Sequence, residues 1–114
     1  MIAMARPIAA PLPPEVKSRL EAFGLRIRDA RLHRQLRQVD LAERTGLSRS
    51  TIEAIERGSS DTAVGAYARV LWVMGLDREL DVVADPALDQ EGAALEYKPG
   101  ERRVRVRKGL RNDF

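Results

Sequence analysis

The sequence predicts a mostly α fold: five helices over residues 15–84, then a short C-terminal β-strand or hairpin within residues 85–114, shared across a dimer. Three observations carry that prediction. Apolar side chains recur at three- and four-residue steps through the first three quarters of the chain, as helices burying one face require. Glycines close the helical stretches at Gly46, Gly58 and Gly75. The period changes to two only in RRVRVRK, residues 102–108, where apolar and basic side chains alternate as on a half-exposed strand.

Residues 1–14 carry four prolines and a single charge at Arg6, so they build neither helix nor ladder and read as an N-terminal arm. From Pro14 and Glu15 onward, Leu20, Phe23, Ile27 and Ala30 share one helical face, and Gly24 is a candidate break that divides this stretch in two. A short helix from Gln38 to Thr45 buries Leu41 and Ala42 and ends at Gly46. The next runs from Ser48, its N-cap, to Arg57, with Ile52 and Ile55 inward and Gly58 as its stop. A fourth, from about Thr62 to Met74, aligns Ala63, Tyr67, Val70, Leu71 and Met74. Asp77 then caps a fifth helix that holds Leu80 and Val83 and stops before Pro86. Gln90 to Tyr97 reads equally as a helical turn or a strand, and Lys98-Pro99-Gly100-Glu101 as a type II turn. An isolated hairpin is marginal, so Val104 and Val106 call for a partner strand, which a two-fold axis supplies.

Charge narrows the function. The formal net charge is +3, but it is segregated: residues 15–58 hold ten Lys/Arg and seven Asp/Glu, residues 59–96 two and eight, residues 97–114 seven and two. A polyanion meets the two basic regions and is repelled by the acidic middle. With no cysteine there is no disulfide framework or Cys-ligated zinc. The single histidine, His33, has no second histidine to share a metal and reads as a solvated helix residue. No apolar run approaches the ~20 residues of a membrane helix, and the apolar start has no proper cleavage signal. The expectation is a cytoplasmic, nucleoid-associated protein. No Gly-rich phosphate loop, no nucleophile with a paired base and no ligand cluster is present, so no enzyme, no catalytic residue, no metal and no cofactor are expected.

The stretch QVDLAERTGLSRSTIEAIERG, residues 38–58, points to a partner. Two short helices joined by a glycine turn, the second with a polar start, form the unit that inserts a helix amino terminus into the DNA major groove. Hydroxyl and amide groups at a helix start reach phosphates, and residues just inside it reach base edges. Arg49 stands where a bidentate contact to guanine O6 and N7 is made. One at a time, Ser48 is a cap, Ser50 and Thr51 are first-turn filler and Arg49 is a solvated charge. Together with Gln38, Leu41-Ala42, Gly46-Leu47-Ser48, Ile52, Ile55-Glu56 and Gly58, they fall at the spacing of the Xre or phage-repressor helix-turn-helix domain, which residues 24–76 resemble. A lambda-repressor-like domain is what that resemblance implies. It assigns base reading to Arg49, Ser50 and Ala54, the last against a thymine methyl, and phosphate contact to Arg37, Gln38, Ser48 and Thr51. Glu53 either accepts from a cytosine amine or holds Arg49 in place. Arg31 and Glu56 match an ion pair that in this family ties the first helix to the end of the third.

Outside that motif, GAYARVLWVMGLDRELDVVADP and RRVRVRKGLRNDF are similar to the HipB-type antitoxins that accompany HipA-type serine/threonine kinases. The resemblance implies a homodimer that binds a double-stranded operator upstream of its own genes, pairs its C-terminal strands between subunits and holds the kinase inactive. Val104, Val106 and Trp72 are its candidate dimer-interface residues, and Phe114 ends a segment suited to a pocket on the partner. Tyr67 falls with the core. Two alternatives stay open: a stand-alone Xre-type repressor without a toxin partner, and a protein-interaction adaptor on a helix-turn-helix scaffold, which Glu53 on the reading helix favours.

Overall fold

The computed structural model describes residues 11–96. The chain divides into two compact units, one ending at Leu80 and the other beginning at Asp81. The first unit contains four α-helices: α1 (Pro14–His33), α2 (Gln38–Thr45), α3 (Arg49–Glu56) and α4 (Val64–Val73). A 3-10 helix, Asp77–Val82, follows.

Local chemistry explains each boundary. Pro13 is extended and Pro14 occupies the first helical position, where a missing N–H costs nothing. Arg31 places positive charge in the last turn of α1, where the helix dipole favours it. The chain then turns at Gln35, a non-glycine residue at φ 57°, and the Leu36 N–H returns to the Arg31 carbonyl at 3.2 Å. Gly46, at φ 79°, closes α2 with its N–H on the Ala42 carbonyl.

The core is Ile27 from α1, Leu41 and Ala42 from α2, Ile52 and Ile55 from α3, and Tyr67, Val70, Leu71 and Met74 from α4 and its end. Phe23, Leu47 and Leu80 pack around it, partly buried. Phe23 and Tyr67 stack with ring centroids 5.3 Å apart, and the Tyr67 hydroxyl donates to the Ser59 carbonyl at 2.7 Å, so the ring is buried with its polar end satisfied.

Two expectations change, at Gly24 and at the fifth helix. Gly24 does not divide α1, which runs unbroken from Pro14 to His33. It marks the crossing with α3 instead: a Cβ on Gly24 would lie 2.6 Å from the Glu56 carbonyl oxygen and 2.7 Å from the Ile55 carbonyl oxygen and the Gly58 nitrogen. Gly58 meets the Leu20 carbonyl in the same way from the other side. Trp72, expected at a subunit interface, is 65% exposed on α4. The expected fifth helix is the 3-10 segment Asp77–Val82, because Asp77 and Asp81 would repel one turn apart in an α-helix and β-branched Val82 and Val83 follow. In the second unit, Pro86–Leu88 is a 3-10 turn capped by Asp85, and Gln90–Ala94, left open between turn and strand, is a five-residue helix, α5, capped by Asp89. No strand occurs among the described residues, and the expected strand at residues 102–108, with Val104 and Val106, lies outside them.

Gly24→Ala forces a methyl group into backbone that cannot rotate away, so it is expected to destabilise the domain by about 3 kcal/mol, the upper end of ordinary overpacking. Urea unfolding followed by far-UV circular dichroism measures this; a change under about 0.5 kcal/mol would show that the two helices separate easily.

Candidate nucleic-acid interface

The turn between α2 and α3 is held from inside. Thr45, buried at the end of α2, donates its hydroxyl to the Leu41 carbonyl at 2.8 Å and accepts the Leu47 N–H at 3.2 Å. Leu47 is thereby fixed over the core and Ser48 is left at the surface in an extended conformation. Ser48 Oγ accepts the Thr51 N–H at 3.1 Å, the N-cap bond that starts α3. The same oxygen lies 2.8 Å from Thr51 Oγ1 and 3.1 Å from Ser50 Oγ, so the three hydroxyls form one cluster at the helix start.

With Ile52 and Ile55 fully buried, the helical period sends Arg49, Ser50, Glu53 and Ala54 to other faces of α3. Ser48, Arg49 and Ser50 are exposed, and Thr51, Glu53 and Ala54 half-buried. The first N–H groups of a helix have no intrahelical acceptor, so a tip of exposed donors faces solvent beside the Arg49 guanidinium. Arg49 is not free, however. Its Nε lies 3.5 Å from a Glu53 carboxylate oxygen one turn along. Of the two roles open to Glu53, holding Arg49 is the one this geometry displays.

The phosphate candidates on α2 are also engaged. Arg37 donates through Nε and Nη2 to the two Asp40 oxygens at 3.1 and 2.9 Å, and its backbone N–H reaches Asp40 at 2.8 Å, which caps α2. The guanidinium hydrogen bond, followed by the backbone one, holds the Asp40 carboxyl down at about 2, so it stays ionised; the same contact raises Arg37. Gln38 donates through Nε2 to Glu56 Oε1 at 3.1 Å, leaving its other N–H and its carbonyl to meet a ligand. That bond belongs to a buried network. Arg31 Nε and Nη2 donate to the two Glu56 oxygens at 2.6 and 3.0 Å, and Nη1 donates to the Leu36 carbonyl at 2.8 Å.

The structure thus gathers Arg37, Gln38, Ser48, Arg49, Ser50, Thr51, Glu53 and Ala54 on two adjoining helices, while Trp72 stands apart on α4. Sequence reasoning missed Thr45 as the clamp of the turn; a threonine directly before the terminating glycine was its signal. It missed as well that Gln38 is tied to Glu56, which no spacing rule encodes. Among the described residues no group of His, Asp and Glu is arranged to hold a metal, and no helix is long and apolar enough to cross a membrane.

Residues 22–81, just over half of the chain, match the family described as helix-turn-helix domain. No curated protein matches the chain.

Removing one partner of the buried pair strands the other's charge, so Glu56→Ala is expected to cost about 3–5 kcal/mol of stability, and the Arg31→Met/Glu56→Met double variant much less. Equilibrium urea unfolding of the three proteins checks this, and equal losses in the single and double variants would refute the electrostatic origin.

Proposed function

The chain belongs to the helix-turn-helix domain family, and from that premise we propose that it is a sequence-specific DNA-binding repressor of the Xre type, reading its site through the amino-terminal end of α3. The observation that carries this reading is the exposed start of α3: a hydroxyl cluster and an exposed arginine at a helix amino terminus, packed on the core through Ile52 and Ile55. Arg49 is assigned to a guanine edge, Ser50 and Ala54 to neighbouring bases, and Arg37, Gln38, Ser48 and Thr51 to flanking phosphates. Two copies related by a two-fold axis, with α3 helices one DNA turn apart, fit a palindromic operator. The exposed Trp72 suits such a subunit contact.

The HipB-like role of the chain as antitoxin to a HipA-like kinase, with repression of its own operon, is supported by the sequence of residues 65–114. A kinase encoded beside this gene, co-expressed with it, is expected to co-purify in stoichiometric amount; its absence from the eluate favours a stand-alone repressor. The adaptor reading draws on one observation, that Arg37 and Arg49 each face a carboxylate.

Electrophoretic mobility shift on the DNA immediately upstream of the gene separates repressor from adaptor. Arg49→Ala is expected to weaken the specific complex by about 1–3 kcal/mol and relax base preference at one position of the site. Arg37→Ala weakens all sequences alike and lowers the salt dependence. No retarded complex at any ionic strength would sink the repressor reading.

A further inference from the structure

The α2–α3 segment should attract DNA, yet between Arg37 and Arg57 it holds Arg37, Arg44, Arg49 and Arg57 against Asp40, Glu43, Glu53 and Glu56, an even balance. Glu56 is neutralised from within by Arg31. Asp40 caps α2 and has a structural task of its own. Glu43 is exposed on α2, off the helix assigned to the groove, and Glu53 has none of these excuses. It caps nothing, it stands half-exposed on the helix assigned to the groove, and its contact among the described side chains is Arg49, at 3.5 Å. A carboxylate at that place repels phosphate and also occupies the arginine that would bind it.

We propose that Glu53 is the specificity-determining residue of this interface: it restrains Arg49 from phosphates and yields it only to a guanine edge. The inference rests on the DNA-binding reading above. A lone phosphate offers the guanidinium one more anion in place of the carboxylate it already holds, with little net gain. Guanine O6 and N7 offer two acceptors in the plane of the fork, while Glu53 can go on accepting from Arg49. Binding to unrelated DNA therefore loses the Arg49 contribution, and binding to the correct site keeps it. An exposed i,i+4 pair is a weak restraint, so the discrimination it supplies is modest, about two- to fivefold.

The test compares the full-length protein with Glu53→Gln on two probes: a duplex selected from a random pool by the unmodified protein, and a 30-base-pair duplex of scrambled sequence as non-specific control. Glu53→Gln is expected to tighten binding to the scrambled duplex about two- to fivefold and to steepen its salt dependence by about one phosphate contact. Affinity for the selected duplex should change less, so the ratio of the two falls. In an Arg49→Gln background the same substitution should do little, because the restrained group is gone. Equal tightening on both probes, or an undiminished effect without Arg49, shows a plain charge effect and overturns the proposal. Loss confined to the selected duplex shows that Glu53 reads a base directly, which overturns it too. If neither protein binds either duplex at low salt, the DNA-binding reading itself fails, an outcome distinct from the others.

Discussion

The Arg31–Glu56 pair is the constraint on which the domain's geometry depends. One guanidinium on α1 joins three places: both oxygens of Glu56 at the end of α3 and the carbonyl of Leu36 in the turn before α2. Gln38 closes the circuit from the first residue of α2. Only arginine has enough donors in one plane to meet these partners together, so lysine would leave part of the network unmet. A buried pair of this kind contributes little net stability against an apolar alternative, because both ions must be desolvated. Its contacts do tie α1, the turn before α2 and the end of α3 to one another.

Close packing reinforces the same result. Gly24 and Gly58 let the backbones of α1 and the end of α3 meet without side chains between them. Helix α3 is thus anchored at its carboxy end by glycine contact and by Glu56, and at its start by the Thr45 clamp and the Ser48 cap. A helix of eight residues would fray if isolated. Anchored at both ends, it keeps its tip in one orientation, and a reading helix must keep that orientation if base contacts a few ångströms apart are to discriminate.

The core and the candidate site were legible for different reasons. Leu41, Ile52, Ile55, Tyr67 and Val70 follow helical spacing, and glycine stops at Gly46 and Gly58 coincide with left-handed backbone, so periodicity and turn chemistry sufficed. Gly24 misled because a glycine inside a helix reads as a break when only the local chain is considered, whereas the reason for it lies in the backbone of Ile55, Glu56 and Gly58. Gln35 gave no turn signal, being a non-glycine in left-handed conformation. The 3-10 form of Asp77–Val82 followed from repulsion between charges that helical patterning ignores. For the site, residue identities on α3 were legible, and so was the Arg49–Glu53 pair, four residues apart on one helix; the Gln38–Glu56 contact was not, because it joins side chains eighteen residues apart whose meeting depends on how the helices pack.

Those pairings separate two quantities that a basic helix would merge. Non-specific affinity for DNA scales with phosphates neutralised, and a segment with as many carboxylates as guanidinium groups neutralises few. The excess positive charge lies elsewhere in the sequence, in the arginines of α1 and in residues 97–114, which carry seven basic side chains against two acidic. On the DNA-binding reading proposed above, attraction to the duplex comes from parts of the chain outside the α2–α3 segment, which is itself electrically balanced. A genome offers vastly more wrong sites than right ones, so the ratio of affinities governs occupancy more than the tighter of the two. On the proposed reading, a balanced α2–α3 segment raises that ratio by lowering its denominator, which is how carboxylates on α3 are compatible with DNA recognition.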